Sequence, residues 1–254
     1  MAHPCRLLET GFNTGAFNMA LDQTVLEGVA SATVLPTIRF YGWKPWAVSI
    51  GYFQGLEEEV DTQACSRRGI DVVRRITGGG AVFHQAEVTY SIIIPETHPL
   101  YRRKVLDSYE LICQGIIDGL KGMGVSAQFA PINDIVVDNR KVSGNAQTRK
   151  LGCILQHGTI LLDVDVELMF SLLRVPSEKA KGKLIEDVKS RVRGLKQLLG
   201  REVSFDETVE ALKRGFQSAL DLDYQTGDPL PEELKRASVV AQERFANPEW
   251  NQRR

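Results

Sequence analysis

The sequence has few of the features that mark secreted or membrane proteins. Its four cysteines, Cys5, Cys65, Cys113 and Cys153, are far apart and form no C-x-x-C pair. We therefore expect neither a disulfide framework nor a cysteine-based metal site. No apolar run approaches the ~20 residues of a membrane-spanning helix, and residues 1–8 lack the apolar core of a signal peptide.

An excess of basic charge is also absent. The 254 residues include 31 basic and 32 acidic side chains, which gives a formal net charge of −1. General nucleic-acid binders normally carry a clear basic excess. We therefore expect a cytoplasmic protein that binds neither nucleic acid nor membrane. A small anionic substrate is compatible with this balance, because it needs only local positive groups.

The chain contains mixed strands and helices, followed by a mostly helical last third. Residues 13–28 and 104–122 show the apolar spacing of helices, and Asn13 or Thr14 can cap the first of them. Strand-like runs lie at 37–41, 47–53, 70–75, 88–94, 135–137, 141–143 and 153–162. Asp138-Asn139 has the composition of a hairpin turn. This order predicts an α+β fold.

Three helix signals occupy the last third. An apolar stripe covers 185–199, and Gly200 is a natural stop after it. A serine and a glutamate at capping-box spacing open a predicted helix over 204–220. Pro231 suits the first position of a final helix that extends to about Phe245.

The sharpest local feature is a predicted strand that runs into three glycines. The run reads Arg74-Arg75-Ile76-Thr77-Gly78-Gly79-Gly80-Ala81-Val82-Phe83-His84. Glycines let a ligand approach the main chain, and successive N–H groups can form an anion-binding nest. Arginine adds a planar fork that suits phosphate or carboxylate. The spacing is neither Walker A nor G-x-G-x-x-G, and a glycine-rich hairpin without a ligand stays open as an alternative.

A second feature is the lysine segment from Asn133 to Ala146. Lys141 follows a turn and is surrounded by small residues, Ser143, Gly144 and Ala146. A lysine fixed there would stabilise developing negative charge. An acidic residue in the same segment, Asp134, is a candidate ligand for Mg²⁺ on a nucleotide. An exposed hairpin with a solvated lysine is the simpler alternative.

A third feature is Gln156-His157-Gly158 inside an otherwise apolar strand. A lone histidine in such a strand is more often structural than catalytic. Cys153 is a nucleophile in principle, but a buried apolar cysteine fits its surroundings better.

These three motifs, in this order, resemble the lipoate–protein ligase A family. The similarity extends from Phe17–Asp22 to Glu249–Asn251, and it implies the fold of biotin and lipoate protein ligases, a mixed β-sheet flanked by helices. It also implies a two-step reaction. Lipoate or octanoate is activated by ATP to an acyl-AMP, and the acyl group then passes to a lysine of a carrier protein.

The resemblance assigns roles by position. Lys141 matches the family's catalytic lysine, and Asp134 matches a residue near the nucleotide and Mg²⁺. The positions that match the ATP and acyl-adenylate site are Arg75, Gly78, Gly79, Gly80, Ala81, Val82, Phe83, Asn133 and Asp134. The positions that match the acyl site are His84, Gly144, Ala146, His157 and Gly158.

Some stretches are closer to the related octanoyltransferases, which form an acyl-enzyme on cysteine and need no ATP. The runs are Ala86-Glu87-Val88-Thr89-Tyr90-Ser91, Gln147-Thr148-Arg149 and Leu155-Gln156-His157-Gly158. Those transferases carry their cysteine in an extra segment before the lysine hairpin, where this chain has Gln128–Ile132 without a cysteine. They also usually have arginine at the position of Gly80. The ligase is therefore the preferred interpretation, and a cysteine acyltransferase is the alternative. A carrier-binding module without catalytic activity is a third.

The resemblance also implies partners. A lipoyl carrier, such as an H-protein-like protein or an E2 lipoyl domain, is the expected acceptor. Residues 1–254 are expected to form one catalytic domain without the small C-terminal domain of many bacterial ligases, so a separate accessory protein is a candidate partner. The basic run 179–183, with Lys189, Arg191 and Arg193 beyond it, is a candidate contact surface, although a solvated helix face is the more frequent explanation of such a run.

Overall fold

The computed structural model describes residues 2–174 and 178–253, with side chains for all of these except 178–181. The strands are β1 (His3–Asn13), β2 (Thr37–Trp43), β3 (Ala47–Ile50), β4 (Asp71–Arg74), β5 (Val82–His84), β6 (Glu87–Pro95), β7 (Gln128–Ala130), β8 (Asp134–Val137), β9 (Arg140–Lys150), β10 (Cys153–Leu161) and β11 (Leu222–Gly227). The α-helices are α1 (Gly15–Ala30), α2 (Leu56–Glu59), α3 (Thr62–Arg67), α4 (Val105–Gly122), α5 (Val166–Leu172), α6 (Glu178–Arg191), α7 (Leu195–Leu199), α8 (Phe205–Leu220), α9 (Pro231–Val240) and α10 (Pro248–Gln252).

Two sheets organise these elements. The larger sheet has the strand order β11-β1-β2-β6-β10-β9-β8-β7 and is mixed, because β1 is parallel to both β11 and β2 while the pairs from β2 to β7 are antiparallel. The smaller sheet has the order β4-β3-β5. This architecture confirms the predicted α+β fold, with a mixed sheet flanked by helices.

Apolar side chains cover both faces of the larger sheet. On β10, Ile154 and Ile160 point to one face and pack with α4 and α8, while Leu155 points to the other face and packs with α1 and α9. Alternation of side chains along a strand produces this division. Each fully buried aliphatic or aromatic side chain contributes roughly 1.5–3 kcal/mol of transfer free energy. A third cluster lies beneath the smaller sheet, where Val48 and Ile50 meet α3.

Helix starts follow the predicted capping chemistry. The side chain of Thr14 accepts a hydrogen bond from the N–H of Phe17 and opens α1, and that of Ser204 accepts from the N–H of Glu207 and opens α8. Pro231 occupies the first turn of α9, which continues through a π-helical turn over Ala241–Phe245. Asp138 and Asn139 both have positive φ, as a type I′ hairpin requires.

Other boundaries differ from the prediction. The apolar stripe over 185–199 is split between α6 and α7, because the chain turns at Gly194, which packs against the carbonyl of Leu162. A side chain at Gly194 would begin 2.5 Å from that oxygen, so this close approach needs glycine. The β9 strand extends well beyond the predicted 141–143, because β10 pairs along most of its length. The first strand, β1, was not predicted.

Among the described residues, no helix combines the length and the apolar character that a membrane crossing requires.

Candidate functional site

A pocket of about 290 Å³ lies between the two sheets. The larger sheet contributes one face of β9 and β10, and the smaller sheet contributes β3, β5 and the glycine loop before β5. Apolar side chains from helices and connections complete the wall, and these are Met19, Leu161, Val164, Met169, Val188 and Val192. The pocket is therefore apolar along much of its wall, with polar groups at defined points.

Lys141 lies at this pocket because of the hairpin that precedes it. The tight turn at Asp138 and Asn139 returns the chain into β9, and a β-bulge lies beside Lys141, where Ile135 pairs with Ser143 and Val136 pairs with Lys141. A bulge changes the direction of the side chain next to it. The carbonyl of Lys141 also accepts a hydrogen bond from the N–H of Arg193, which fixes the strand against the α6–α7 junction.

The ammonium of Lys141 is paired with Asp134. Their Nζ and Oδ1 atoms are 2.7 Å apart, and the side chains are 39% and 35% exposed, so the pair sits at the mouth of the pocket. The lysine stem lies across Gly144, where an added Cβ would be 2.7 Å from the Lys141 side chain. A small residue at position 144 is thus required for the lysine to lie flat on the strand.

Two asparagines join the two arms of the hairpin at the end away from its turn. The side chain of Asn145 donates to the carbonyl of Asn133, and the side chain of Asn133 donates back to the carbonyl of Asn145. The side-chain amide oxygen of Asn145 also accepts a hydrogen bond from the buried Tyr90 hydroxyl. Gly158 makes room for Asn145, because a Cβ there would be 2.1 Å from its Oδ1. These contacts hold the strand beneath Lys141 in one conformation.

The glycine loop wraps around Arg75. One terminal nitrogen of its guanidinium donates to the carbonyls of Gly78 and Gly80, at 2.9 and 2.7 Å, and the other donates to the carbonyl and hydroxyl of Ser49. Burial lowers the pKa of Arg75 to about 10, so the group stays charged at neutral pH. The loop thus turns two of its carbonyls toward this cation, while the sequence led us to expect an open nest of N–H groups.

Arg74 binds main-chain carbonyls of the C-terminal segment. It is fully buried, and its guanidinium donates to the carbonyls of Gly51, Gln54 and Trp250, among others. Its backbone N–H donates to the Asn251 side chain. The sequence suggested that this arginine would attract an anion, but the structure shows it holding main-chain segments together behind the pocket.

Polar side chains that are linked by hydrogen bonds surround His84 at one end of the pocket. His84 Nδ1 lies 2.6 Å from a Glu87 carboxylate oxygen, and His84 Nε2 lies 2.8 Å from the Ser49 hydroxyl oxygen. The Trp43 ring stacks on the imidazole at 3.9 Å, and the Thr89 hydroxyl donates to the same Glu87 oxygen. These contacts fix the orientation of His84.

A second buried network surrounds His157. Its Nδ1 lies 3.3 Å from Asp22, and its Nε2 lies 2.7 Å from the Thr77 hydroxyl. Asp22 also accepts from Arg39, in an ion pair that is almost completely buried. Burial raises the pKa of Asp22, but Arg39, His157 and Ser91 outweigh it, so the net pKa lies below its usual value. Burial lowers the pKa of His157, which favours the neutral imidazole.

The pocket brings together most of the residues that the sequence singled out. The predicted residues that line it are Arg75, Gly79, Gly80, Ala81, Val82, Phe83, His84, Asn133, Lys141, Gly144, Ala146, His157 and Gly158. Gly78 is not among the lining residues, and Asp134 reaches the site through its ion pair with Lys141. Their individual roles stay predictions. Their positions show that residues from three separate motifs line one pocket.

Sequence reasoning missed part of the wall. The lining residues without a sequence prediction include Met19, Tyr41, Trp43, Ser49, Thr89, Asn145, Thr159 and Met169. Val188 and Val192 also line the pocket, and they do belong to the apolar stripe over 185–199. That stripe indicated a helix face that packs on an apolar surface. No local sequence pattern indicated that this surface is the pocket.

No cluster of metal ligands supports the predicted Mg²⁺ site. Within the described ranges, no group of three or more His, Cys, Asp or Glu side chains is arranged to hold a metal ion. The carboxylate of Asp134 is bound to Lys141, which neutralises the charge that would attract a cation. The prediction, however, concerned Mg²⁺ carried by a nucleotide, which needs only one or two protein carboxylates, and these observations do not test it.

A second cavity, of about 580 Å³, adjoins the pocket. The two share Val164 and Val192, and the second is also lined by Glu167 and Lys189. Lys189 pairs with Glu167 and Glu186, and Arg191 pairs with Asp187, so these two residues of the predicted basic surface are matched by neighbouring carboxylates. The side chains at 179 and 181 lie outside the described residues.

Comparison with known proteins places these features in a family. Residues 14–217 match the family model of the lipoyl protein ligase A/B catalytic domain. The chain is 38% identical to octanoyltransferase LipM of Geobacillus kaustophilus and 40% identical to LipM of Kyrpidia tusciae, in each case over 98% of both chains. The first alignment spans 272 positions against the 254 residues of this chain, so at least 18 of its positions have no residue here.

Solved structures share the whole fold. A bi-partite lipoate protein ligase of Thermoplasma acidophilum superposes with a TM-score of 0.86 at 28% identity, over 99% of this chain and 96% of that one. A lipoate-protein ligase A crystallised with ATP superposes with a TM-score of 0.82 at 26% identity, over 99% of each chain.

These relatives correct the predicted activity. The sequence favoured an ATP-dependent ligase with an acyl-adenylate intermediate, and this prediction is wrong, because relatives at 38–40% identity over nearly the full length are octanoyltransferases. They likewise give no support to ATP and Mg²⁺ as cofactors. The error arose because Gly80 and the missing cysteine segment were given more weight than the runs that resemble the transferases.

The three motifs, the pocket on which they converge and the full-length relatives all lead to one assignment: the chain belongs to the lipoyl protein ligase A/B catalytic domain family, whose members are enzymes of lipoate and octanoate attachment.

Proposed function

We propose that this protein is an acyltransferase of protein lipoylation. It takes an octanoyl group, or a closely related medium-chain acyl group, from a thioester carrier and transfers it to a lysine of a lipoyl carrier domain without ATP. The octanoyltransferase relatives favour this activity. It is the transferase alternative that the sequence left open, except that the alternative worked through a cysteine, and none of the four cysteines of this chain lines the pocket.

One structural observation carries the proposal: an apolar pocket has a lysine at its mouth. Met19, Leu161 and Met169 offer contacts to an alkyl chain inside, and Lys141 stands where the acyl carbonyl would emerge. The Nζ–H groups would donate to the carbonyl oxygen as it gains negative charge, which is the largest single source of rate acceleration in acyl transfer. The proposed catalytic residue is therefore Lys141.

The other residues have supporting roles in this proposal. Asp134 orients the Lys141 ammonium, and the Asn133–Asn145 pair fixes the strand below it. The glycine loop, Arg75, His84 and His157 contribute further parts of the wall. Chain-length preference follows from how far the apolar wall extends, and a difference of one methylene there is worth only about 1–3 kcal/mol.

The acceptor is proposed to be a lipoyl carrier domain, since the archaeal structural neighbour is described together with its E2 lipoyl domain. The same neighbour is bi-partite. That residues 1–254 act as one catalytic domain, with or without an accessory protein, stays a prediction, and so does the cytoplasmic location.

The test is a transfer assay with purified protein, an octanoyl-carrier-protein thioester and an unmodified lipoyl domain, without ATP. Mass spectrometry would detect the acylated lipoyl domain. We expect turnover by the wild type and a loss of about 10²–10³-fold in Lys141→Ala, which removes one oxyanion donor. Lys150→Ala is the matched control, because Lys150 is an exposed lysine on the same strand, outside the pocket.

Acylation that occurs only when ATP and the free acid replace the thioester would contradict the proposal. Equal activity of Lys141→Ala and wild type would contradict the assignment of Lys141 while leaving the transferase activity in place.

A further inference from the structure

An exposed isoleucine stands beside the mouth of the pocket. Ile132 lies in the connection 131–133 between β7 and β8, and 70% of it is exposed to solvent. Asp134, which pairs with Lys141, begins β8 two residues later. Two residues span at most about 7 Å of extended chain. Ile132 therefore lies on the rim of the mouth, which we define as the surface around the Lys141–Asp134 pair.

Hydrogen bonds fix both ends of the connection that carries Ile132. On its N-terminal side, Ala130 pairs with Asp134. On its C-terminal side, a main-chain hydrogen bond and two more from the asparagine side chains join Asn133 to Asn145. The isoleucine is thus held on a well-fixed turn. Little conformational entropy is lost when a partner covers a group that is already held in this way.

The end of α6 forms the opposite side of the rim. The N–H of Arg193 donates to the carbonyl of Lys141, which places this helix end beside the lysine. Arg191, in the last turn of α6, is already paired with Asp187. Exposed charges at the edge of an interface mainly change the association rate, whereas covering an exposed apolar side chain contributes to affinity. Of these groups, Ile132 is the one best suited to hold a partner.

The acceptor lysine can reach Lys141 only if its carrier domain covers this rim. A lysine side chain spans about 6 Å from Cα to Nζ. Its nitrogen must come within about 3.5 Å of the acyl carbonyl carbon, while the Lys141 ammonium lies about 3 Å from the carbonyl oxygen. The acceptor main chain therefore lies within roughly 13 Å of Lys141 Nζ. Even a domain of about 50 residues is roughly 25 Å across, so it extends over Ile132.

The acyl donor is not restricted in this way. In an acyl-carrier thioester the acyl group is attached to a flexible arm that is longer than a lysine side chain. The protein body of the donor can therefore stay away from the rim while the acyl chain enters the pocket. Contact with Ile132 thus distinguishes the acceptor from the donor.

We propose that Ile132 is the apolar contact through which this protein recognises the carrier domain that presents the acceptor lysine. The inference rests on the proposed function and deepens it, because it identifies the surface that selects one of the two protein substrates. The matching surface of the partner is an apolar side chain close to its acceptor lysine. Affinity for the acceptor domain depends on Ile132, whereas the pocket binds the acyl group.

The first test measures binding without catalysis. An NMR titration of the isotope-labelled, unmodified lipoyl domain would compare the wild type with Ile132→Asp in the absence of any acyl donor. The variant places a charge at the expected apolar contact, so we expect an affinity that is about 10–100-fold lower. Ile132→Leu keeps an apolar side chain of equal volume and should retain most of the affinity.

The matched control is Leu151→Asp. Leu151 is also an exposed aliphatic residue, at 63%, and it follows the last residue of β9. Along that strand it lies about 30 Å from Lys141 at ~3.3 Å per residue. The control introduces the same charge at the far end of the strand, so it should leave binding and transfer unchanged. Circular dichroism would establish that all variants are folded.

The second test uses the transfer assay, with the concentrations of octanoyl thioester and lipoyl domain varied in turn. For Ile132→Asp we expect the KM for the lipoyl domain to rise about 10–100-fold. The KM for the thioester should stay at the wild-type value. The loss should appear in KM rather than in kcat, because the lost contact is present before and during the reaction.

Unchanged affinity of Ile132→Asp for the lipoyl domain, or an equal loss in Leu151→Asp, would overturn the inference. A wild type that does not bind the domain would overturn it as well. A KM that rises for the thioester and not for the lipoyl domain would assign Ile132 to the donor instead. No transfer by the wild type with any thioester would overturn the proposed function, while the titration would still decide the role of Ile132.

Discussion

Buried polar side chains at this pocket fix one another before any substrate binds. Ser49, His84 and Glu87 form one hydrogen-bonded chain, and Thr77, His157 and Asp22 form another. A buried polar group without a partner costs about 1–3 kcal/mol, so these chains favour a single arrangement of rotamers and tautomers. The pocket wall is therefore prepared in advance, which lowers the ordering cost of binding.

Burial of histidine side chains also makes the free energy of unfolding depend on pH. Burial, followed by the neighbouring charge of His3, lowers the pKa of His98 from 6.5 to about 4. Below pH 6.5 the unfolded chain binds a proton that the folded chain does not, so the free energy of unfolding falls as the pH drops from 6.5 toward 4. The lowered pKa of His157 acts in the same direction.

We predict that His98→Asn weakens this pH dependence. Asparagine keeps an acceptor for the N–H of Leu100, which His98 now caps, but it does not titrate. For a half-buried ring the effect is about 1–2 kcal/mol between pH 6.5 and 4. Urea unfolding at several pH values would measure it, and an unchanged slope in the variant would show that His98 does not contribute.

At the scale of elements, α4 and α8 pack closely because glycines meet at their contact. A Cβ on Gly215 would be 2.1 Å from the carbonyl oxygen of Gly115 and 2.3 Å from the nitrogen of Gly119. Phe216 then covers Gly115 from the side. The two helices form the layer that covers one face of the larger sheet, so their separation determines how well that core is filled.

Gly215→Ala is predicted to force these helices apart. Overpacking of this kind lowers the free energy of unfolding by about 1–3 kcal/mol. The matched control is Gly122→Ala at the end of α4, where a Cβ meets nothing within 4 Å. There the higher helix propensity of alanine should raise stability by up to about 1 kcal/mol. Thermal unfolding of both variants tests the contrast, and equal effects would argue against the close contact.

At the scale of the whole molecule, the C-terminal segment supports the glycine loop from behind. The Asn251 side chain accepts from the N–H of Arg74 and donates to the carbonyl of Phe245. The indole N–H of Trp250 donates to the carbonyl of Arg74. The strand that ends at Arg74 leads directly into Arg75 and the loop. Residues far apart in sequence thereby determine the position of the pocket wall.

We therefore predict that Asn251→Ala affects both stability and transfer. It removes two buried hydrogen bonds at a site that is 9% exposed, which should cost about 1–3 kcal/mol. Transfer activity should fall further than the folded fraction, because Arg75 shifts with Arg74. Gln252→Ala, at the next and exposed residue, should change neither quantity. Activity that follows the folded fraction alone would show that the segment serves stability only.

Much of the local structure could be predicted, because it depends on nearby residues. The caps at Thr14 and Ser204, the turn at Asp138-Asn139 and the proline start of α9 are each determined within a few positions. The break at Gly194 was missed, since its cause is the distant carbonyl of Leu162. The first strand was missed for a similar reason, because β1 is held between β2 and β11, which lie far along the chain.

The sequence by itself determined the α+β class, the three motifs and the family, because each depends on residue type and spacing. Only the tertiary structure decided that Arg75 faces loop carbonyls, that Asp134 is held by Lys141 and that all four thiols lie away from the pocket. These depend on which sheet face a side chain occupies and on contacts between distant strands. Those relations are set by how the sheets pack, and no local pattern of residues contains them.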